Sequence, residues 1–418
     1  MGHIVAKESY KKLEERINRF PAGAPPTETL YKILEVLFSE KEAMLVSKLP
    51  IKGFTVSTAA KIWNMSEIEA SKILNDLASR ALLLDIEGKE GSTYVLPPPM
   101  AGFFEFTLMR TDNRIDQKLI SELFYQYLNV EEDFIKELFF STETKFGRVF
   151  VQEGVLSKEN QLEILDYERV SQIIEESGFI GVSMCYCRHK ALHLGENCDA
   201  PMEVCMTMGN TAKSLEKHGY ARKISKEEAK EIIEISIDSR LVQCGENVRQ
   251  DVTFLCNCCG CCCEGLQTAR KFGNLHPIET TGFLPEVKDN CKRCGKCIKV
   301  CPIGAIQLDS EGKYPVVDEN SCIGCGVCKR ECNFDSIKMK RRKNKILTPV
   351  NTAHRIVLMA IEKGKLNELI FDNKAYQSHR TMAAILGVIL KLPLVKQIMA
   401  SKQMKSVYLD NILSKIKI

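Results

Sequence analysis

Nineteen cysteines fall between Cys185 and Cys332 of a 418-residue chain, and none lies outside that stretch. No other feature constrains the fold as strongly, because thiols at this density either pair as disulfides or hold metal. Disulfide scaffolds are typically short extracellular chains. This chain is long enough for about three domains, and its 44% hydrophobic content suits cores of ordinary size. Its thiols are also grouped at metal-ligand spacings. The opening residues, MGHIVAKESYKKLEERINRF, lack the apolar stretch of a signal peptide. No run of about 20 apolar residues marks a membrane span. The expectation is a reduced, cytoplasmic protein.

Two blocks follow one template, Cys291-KR-Cys294-GK-Cys297-IKV-Cys301-Pro302 and Cys322-IG-Cys325-GV-Cys328-KRE-Cys332-Asn333. Three cysteines in a tight loop cover one face of a cubane, and its fourth iron must be reached from elsewhere. The segment resembles the bacterial two-cluster (2×4Fe–4S) ferredoxins, in which the fourth cysteine of each run serves the other cluster. The resemblance therefore implies one 4Fe–4S cluster on Cys291, Cys294, Cys297 and Cys332, and a second on Cys322, Cys325, Cys328 and Cys301. Gly295 and Gly326 are expected to let the backbone approach the sulfides. Asn333 replaces the proline usual in that family without removing a ligand. Zinc is the competing reading of any CxxC pair, and two complete repeats of four cysteines disfavour it.

The other eleven cysteines lie between residues 185 and 263. Cys185, Cys187, Cys198 and Cys205 are expected to close one further cubane, with structural zinc as the alternative. The run CNCCGCCC supplies Cys256, Cys258, Cys259, Cys261, Cys262 and Cys263. These either share another cluster with Cys244 or join the first group around a larger, irregular one, and some are simply small buried side chains. CxCR…C…C, the CNCCxCCC block and a C-terminal two-cluster ferredoxin together resemble a group of large cytoplasmic iron–sulfur proteins of anaerobic microbes. Arg188 is placed to offset thiolate charge. His189 and His193 are candidates for ligation or proton donation, with local hydrogen bonding as the alternative.

Residues 29–96 read as a winged helix-turn-helix, with Thr27 or Thr29 capping its first helix, Trp63 in its core and a hairpin turning at Gly88–Gly91 as the wing. Its second helix carries Glu67, Glu69 and Asp76 against Lys72 and Arg80, which disfavours DNA binding. The domain expectation is 1–98 winged-helix-like, 99–180 helical scaffold, 181–283 Cys-rich, 284–340 ferredoxin and 341–418 basic and helical. From Lys338 onward the chain carries a net charge of +13, with six cations in the run KMKRRKNK. Such asymmetry suits an acidic partner surface, anionic lipid or nucleic acid. The apolar segment Met382–Ala400 is too short and too charged to span a bilayer. It reads as a buried or partner-facing helix, with contact at a membrane surface as the alternative.

The expected fold class is multidomain and mainly α with α+β parts, including a helical Cys-rich domain. The expected function is electron transfer between the ferredoxin domain and a Cys-rich cluster, with a ferredoxin, flavodoxin or oxidoreductase subunit as partner. One alternative is a reductase whose Cys-rich cluster binds substrate. Another is a redox-sensing winged-helix regulator.

Overall fold

The computed structural model describes residues 7–89, 91–343 and 348–372. Two compact units result. The first takes residues up to Thr144, Lys217–Tyr220 and those from Thr352, and the second takes Lys145–Glu216 and Ala221–Asn351. Met382–Ala400 and the end of the basic run at Lys345 lie outside the described residues.

In the first unit, helices Glu28–Leu37 and Glu40–Val46 precede the helix pair Val56–Trp63 and Glu67–Ser79. Thr27 caps the first of these, accepting from Leu30 N, and Ser39 and Ser66 each form a capping box with a glutamate three residues on. Those polar residues satisfy amide N–H groups that a helix leaves open at its start. Strands β1 (Phe54–Thr55), β2 (Leu84–Gly88) and β3 (Gly91–Val95) form an antiparallel sheet in the order β1-β3-β2, and the hairpin closes where Gly88 faces Gly91. Trp63 is buried and its Nε1 donates to Leu45 O at 2.9 Å. A second core follows Pro99, where Phe104 packs against Phe103, Phe124 and Phe134 at ring separations of 4.9, 5.0 and 6.0 Å. Asp372 ties the last described residues to this unit by accepting from Ile51 N and Lys52 N at 2.6 and 2.7 Å.

The second unit departs from the expected helical Cys-rich domain and is mixed α and β. Its centre is a six-stranded sheet of β4 (Gly147–Val149), β5 (Ile180–Met184), β6 (Glu203–Met208), β7 (Arg222–Ile224), β8 (Val242–Glu246) and β9 (Phe254–Cys258). The order is β4-β8-β9-β6-β5-β7, antiparallel throughout. Alternation along β6 sends Val204, Met206 and Met208 into a core shared with Leu255 and with helices Val170–Glu176 and Lys226–Asp238. The intervening Cys205 goes to the other face, as the two-residue period of a strand requires. Residues 145–180, expected to be scaffold helix, supply the edge strand β4 and one of these core helices.

The 284–340 segment belongs to the same unit. Strand β10 (Phe283–Val287) pairs with β13 (Ile337–Arg341), and β11 (Ile306–Leu308) pairs with β12 (Pro315–Val317). Short helices Lys296–Val300 and Val327–Arg330 follow the two cysteine loops. Each helix carries the third cysteine of its run, Cys297 or Cys328, and leads toward the fourth.

Candidate metal centres

The eight cysteines of 291–332 line two cavities. One is bordered by Cys291, Cys294, Cys297 and Cys332, the other by Cys322, Cys325, Cys328 and Cys301. The two cavities differ in depth. Cys294 is exposed, whereas Cys322, Cys325 and Cys328 are buried. Burial pushes the Cys322 thiol up to about 11 and raises Cys325 and Cys328 further, since a thiolate without its metal is costly away from water. Main-chain N–H groups point at the sulfurs: Arg293 N donates to Cys291 Sγ at 3.4 Å, Ala305 N to Cys301 Sγ at 3.2 Å and Ser336 N to Cys332 Sγ at 3.3 Å. Hydrogen bonds of this kind stabilise the more reduced cluster charge.

Gly324 sits at φ +73° against the scaffold. A Cβ there would lie 2.1 Å from Thr281 Oγ1 and 2.2 Å from Phe283 O, so only glycine permits the inner loop to seat. The basic run is partly committed to holding this loop. Arg342 donates to Thr281 O at 3.0 Å and to Cys322 O, and Arg341 lies 5.1 Å from the Phe283 ring.

The eleven remaining cysteines divide differently from the expected grouping, because Cys198 leaves the first set. Cys185 contacts Cys187 and Cys205, Cys205 contacts Cys256, Cys256 contacts Cys258, Cys258 contacts Cys263, and Cys263 contacts Cys187. The six sulfurs close a ring, and Cys244 joins it at Cys258. The sheet explains much of this. Cys244 lies opposite Cys256 across β8 and β9, and the β6–β9 register, continued by one residue, sets Cys205 beside Cys256. Residues facing each other across antiparallel strands share a face. Cys185 and Cys263 cap the N-termini of helices Tyr186–Leu194 and Glu264–Phe272, where thiolate charge is favoured. The buried pair Lys190–Glu264 ties those two helices together.

Contacts with neighbouring sulfurs lower Cys185, Cys263 and Cys256 and raise Cys187, Cys258 and Cys205. Metal would displace the protons that such thiols carry.

Cys198, Cys259, Cys261 and Cys262 form a separate group, with all four Sγ atoms within 4.8 Å of one another. Arg188 is within electrostatic reach of both groups. It is wholly buried, and both its terminal nitrogens donate to Asn257 O at 3.2 Å. Burial opposes its charge, but Cys185, Cys205 and Cys259 outweigh that cost and raise its pKa. Its Nε is buried without a hydrogen-bond partner, an open donor facing sulfur-rich surroundings. His189 and His193 hydrogen-bond to each other through their Nε2 atoms at 3.1 Å.

The Cys-rich and ferredoxin segments meet closely. Gln152 N donates to Cys325 O at 3.0 Å, and its side chain donates to Leu241 O, next to β8, at 3.3 Å. A Cβ on Gly260 would lie 2.1 Å from Pro302 O, so the cysteine loop rests directly on the chain beside Cys301. The only signal in the sequence for this junction was the glycine inside CNCCGCCC.

The donor sets fit iron–sulfur chemistry. Each ferredoxin cavity offers four thiolates with N–H groups turned toward sulfur, and Arg188 holds a free donor beside the ring.

A 4Fe-4S dicluster domain matches residues 290–336. An uncharacterized ferredoxin of Methanocaldococcus jannaschii is 33% identical over 129 residues, which is 29% of this chain and 74% of that protein. The pyruvate synthase subunit PorD of Methanothermobacter marburgensis is 43% identical over 56 residues, 13% of this chain and 63% of that subunit. A probable anaerobic dimethyl sulfoxide reductase chain, YnfG, of Escherichia coli is 30% identical over 110 residues, 23% of this chain and 50% of that chain. The latter two are thus matched over less than two thirds of their own length. No solved structure matches the chain.

Proposed function

The chain belongs to the ferredoxin family through its 4Fe–4S dicluster domain, and from that premise we propose that it relays single electrons between an exposed ferredoxin cluster and a Cys-rich centre on the β4–β9 sheet. It is an iron–sulfur electron-transfer protein related to ferredoxins and to oxidoreductase subunits. In the proposed relay Cys291, Cys294, Cys297 and Cys332 hold the outer 4Fe–4S cluster, and Cys322, Cys325, Cys328 and Cys301 hold the inner one. The ring of Cys185, Cys187, Cys205, Cys256, Cys258 and Cys263, with Cys244, holds the third centre. When bound, each cluster supplies one-electron uptake and release.

The chain's own residues set the route. Cys294 leaves the outer site open to a partner, while burial of Cys322, Cys325 and Cys328 keeps water from the inner one. The observation that carries the reading is the junction: Gln152 bridges Cys325 to the start of β8, and Gly260 of the cysteine loop packs on Pro302 beside Cys301. Seven sulfurs exceed what a single cubane needs, so the ring suits a cluster larger than a cubane.

Relatives named as subunits of pyruvate synthase and dimethyl sulfoxide reductase support an oxidoreductase subunit as partner. Residues 28–95 form the winged-helix-like module of this reading, and its role is protein docking. Its second helix starts with Glu67 and Glu69, and Arg80 at its end is already paired with Glu42 and, at 2.9 Å, with Asp76, which leaves little charge for phosphate.

Anaerobic iron and sulfide assay with an EPR-monitored redox titration tests the relay. At least three separately titrating centres are expected. Two centres alone, both assigned to residues 291–332, would remove the Cys-rich terminus.

A further inference from the structure

Four thiolates can hold either a single ion or a cubane, and the spacing of their sulfurs distinguishes the two. Around one ion with metal–sulfur bonds of about 2.3 Å, tetrahedral geometry puts the sulfurs about 3.8 Å apart. In a cubane each cysteine binds a different iron, so the sulfurs are separated by the metal core as well and stand much farther apart. Cys262 Sγ lies 3.9 Å from Cys198 Sγ and 3.8 Å from Cys261 Sγ. Cys261 also contacts Cys259 and Cys198, and Cys262 contacts Cys259. Five of the six edges of a tetrahedron are therefore closed, and all four atoms lie within 4.8 Å of one another. Among the described residues, the cysteines of the ferredoxin cavities and of the ring do not gather into such a set.

We infer that Cys198, Cys259, Cys261 and Cys262 form a mononuclear tetrathiolate site for one thiophilic metal ion, zinc or iron, distinct in kind from the clusters. The ring lies beside it, and the two sites share Arg188, which hydrogen-bonds Cys259 of one and is within electrostatic reach of Cys185 and Cys205 of the other. A dication with four thiolates carries a net charge of −2, and a buried guanidinium is the counter-charge that such a site needs. The site also has a structural consequence. Cys198 comes from the loop after helix Tyr186–Leu194, and the other three from the loop after β9. One ion would fasten those loops together where Gly260 rests on Pro302. Zinc would do only that, whereas iron would add a one-electron site at the exposed Cys261.

The test compares the full chain, purified anaerobically, with Cys261→Ser and Cys198→Ser for zinc, iron and acid-labile sulfide. Each variant is expected to lose a single metal equivalent and no sulfide, with the ferredoxin EPR signals retained. Zinc or iron as the lost metal decides between a fastening and a redox role, and either supports the site. Loss of iron and sulfide together in cubane proportion, or loss of no metal, overturns it. On the unmodified protein, zinc-edge X-ray absorption should show four sulfurs at about 2.3 Å, or Mössbauer spectra should show a mononuclear iron tetrathiolate. Absence of both also overturns the inference, whatever the variants' folding.

Discussion

Cys301 and Arg188 are the residues on which the account can be tested most sharply. Cys301 is next in sequence to the loop of Cys291–Cys297 but borders the cavity of Cys322, Cys325 and Cys328. Cys301→Ser should therefore remove the buried cluster's EPR signal, and Cys294→Ser the exposed one's. Loss of the same signal in both variants would refute the crossed ligand sets. Arg188→Gln removes a buried positive charge from thiolate surroundings. The midpoint potential of the Cys-rich centre should fall by on the order of 60 mV or more, since about 1.4 kcal/mol corresponds to about 59 mV for one electron. An unchanged potential in a folded variant would mean that Arg188 only fills space. The placement of Arg188 among thiols was legible beside CxCR, but the departure of Cys198 from its sequence neighbours was not. Spacing along a chain reports which thiols share a loop, and two loops brought together by a sheet lie beyond its reach.

At the level of elements, the ferredoxin loops were readable because each complete ligand pattern sits within one short segment. The six-stranded sheet was not, because its strands are short and their alternation is carried by cysteine and methionine, as in EVCMTM and FLCNC. Residues read only as ligands were also the outward half of a strand pattern. Two tight junctions now follow from the elements. Gly324→Ala forces a Cβ into Thr281 and Phe283 at positive φ, and strain at such positions costs about 1–3 kcal/mol before the clash is added. Iron content should fall at the inner site, and thermal stability should fall by several degrees. Retention of both would show that the loop can shift. Glu264→Ala removes the carboxylate that pairs with the buried Lys190 ammonium, and breaking a buried pair costs about 3–5 kcal/mol. It should loosen the helices that begin at Cys185 and Cys263, which chemical denaturation of the anaerobic protein would measure.

Across the whole molecule, charge and depth give the proposed relay a direction of access. Part of the basic run expected to suit an acidic partner is engaged within the chain, since Arg342 holds Cys322 O and Lys340 pairs with Glu319 at 2.9 Å. Exposed Lys292 and Lys299 also flank the outer cysteines. Reduction by an acidic carrier should slow with ionic strength, and slow several-fold when both lysines are changed to glutamate, as stopped-flow mixing would record. A rate indifferent to salt and to both lysines would place entry elsewhere. The central claim is that electrons pass from the ferredoxin clusters into the Cys-rich centre within one chain. Freeze-quench EPR after rapid reduction tests it, with the unmodified protein compared with Cys301→Ser. The account predicts that the outer signal appears first and the Cys-rich signal follows, with the second step strongly slowed in the variant. Reduction of the Cys-rich centre at the same rate in both proteins, or its failure to be reduced in either, would contradict the relay.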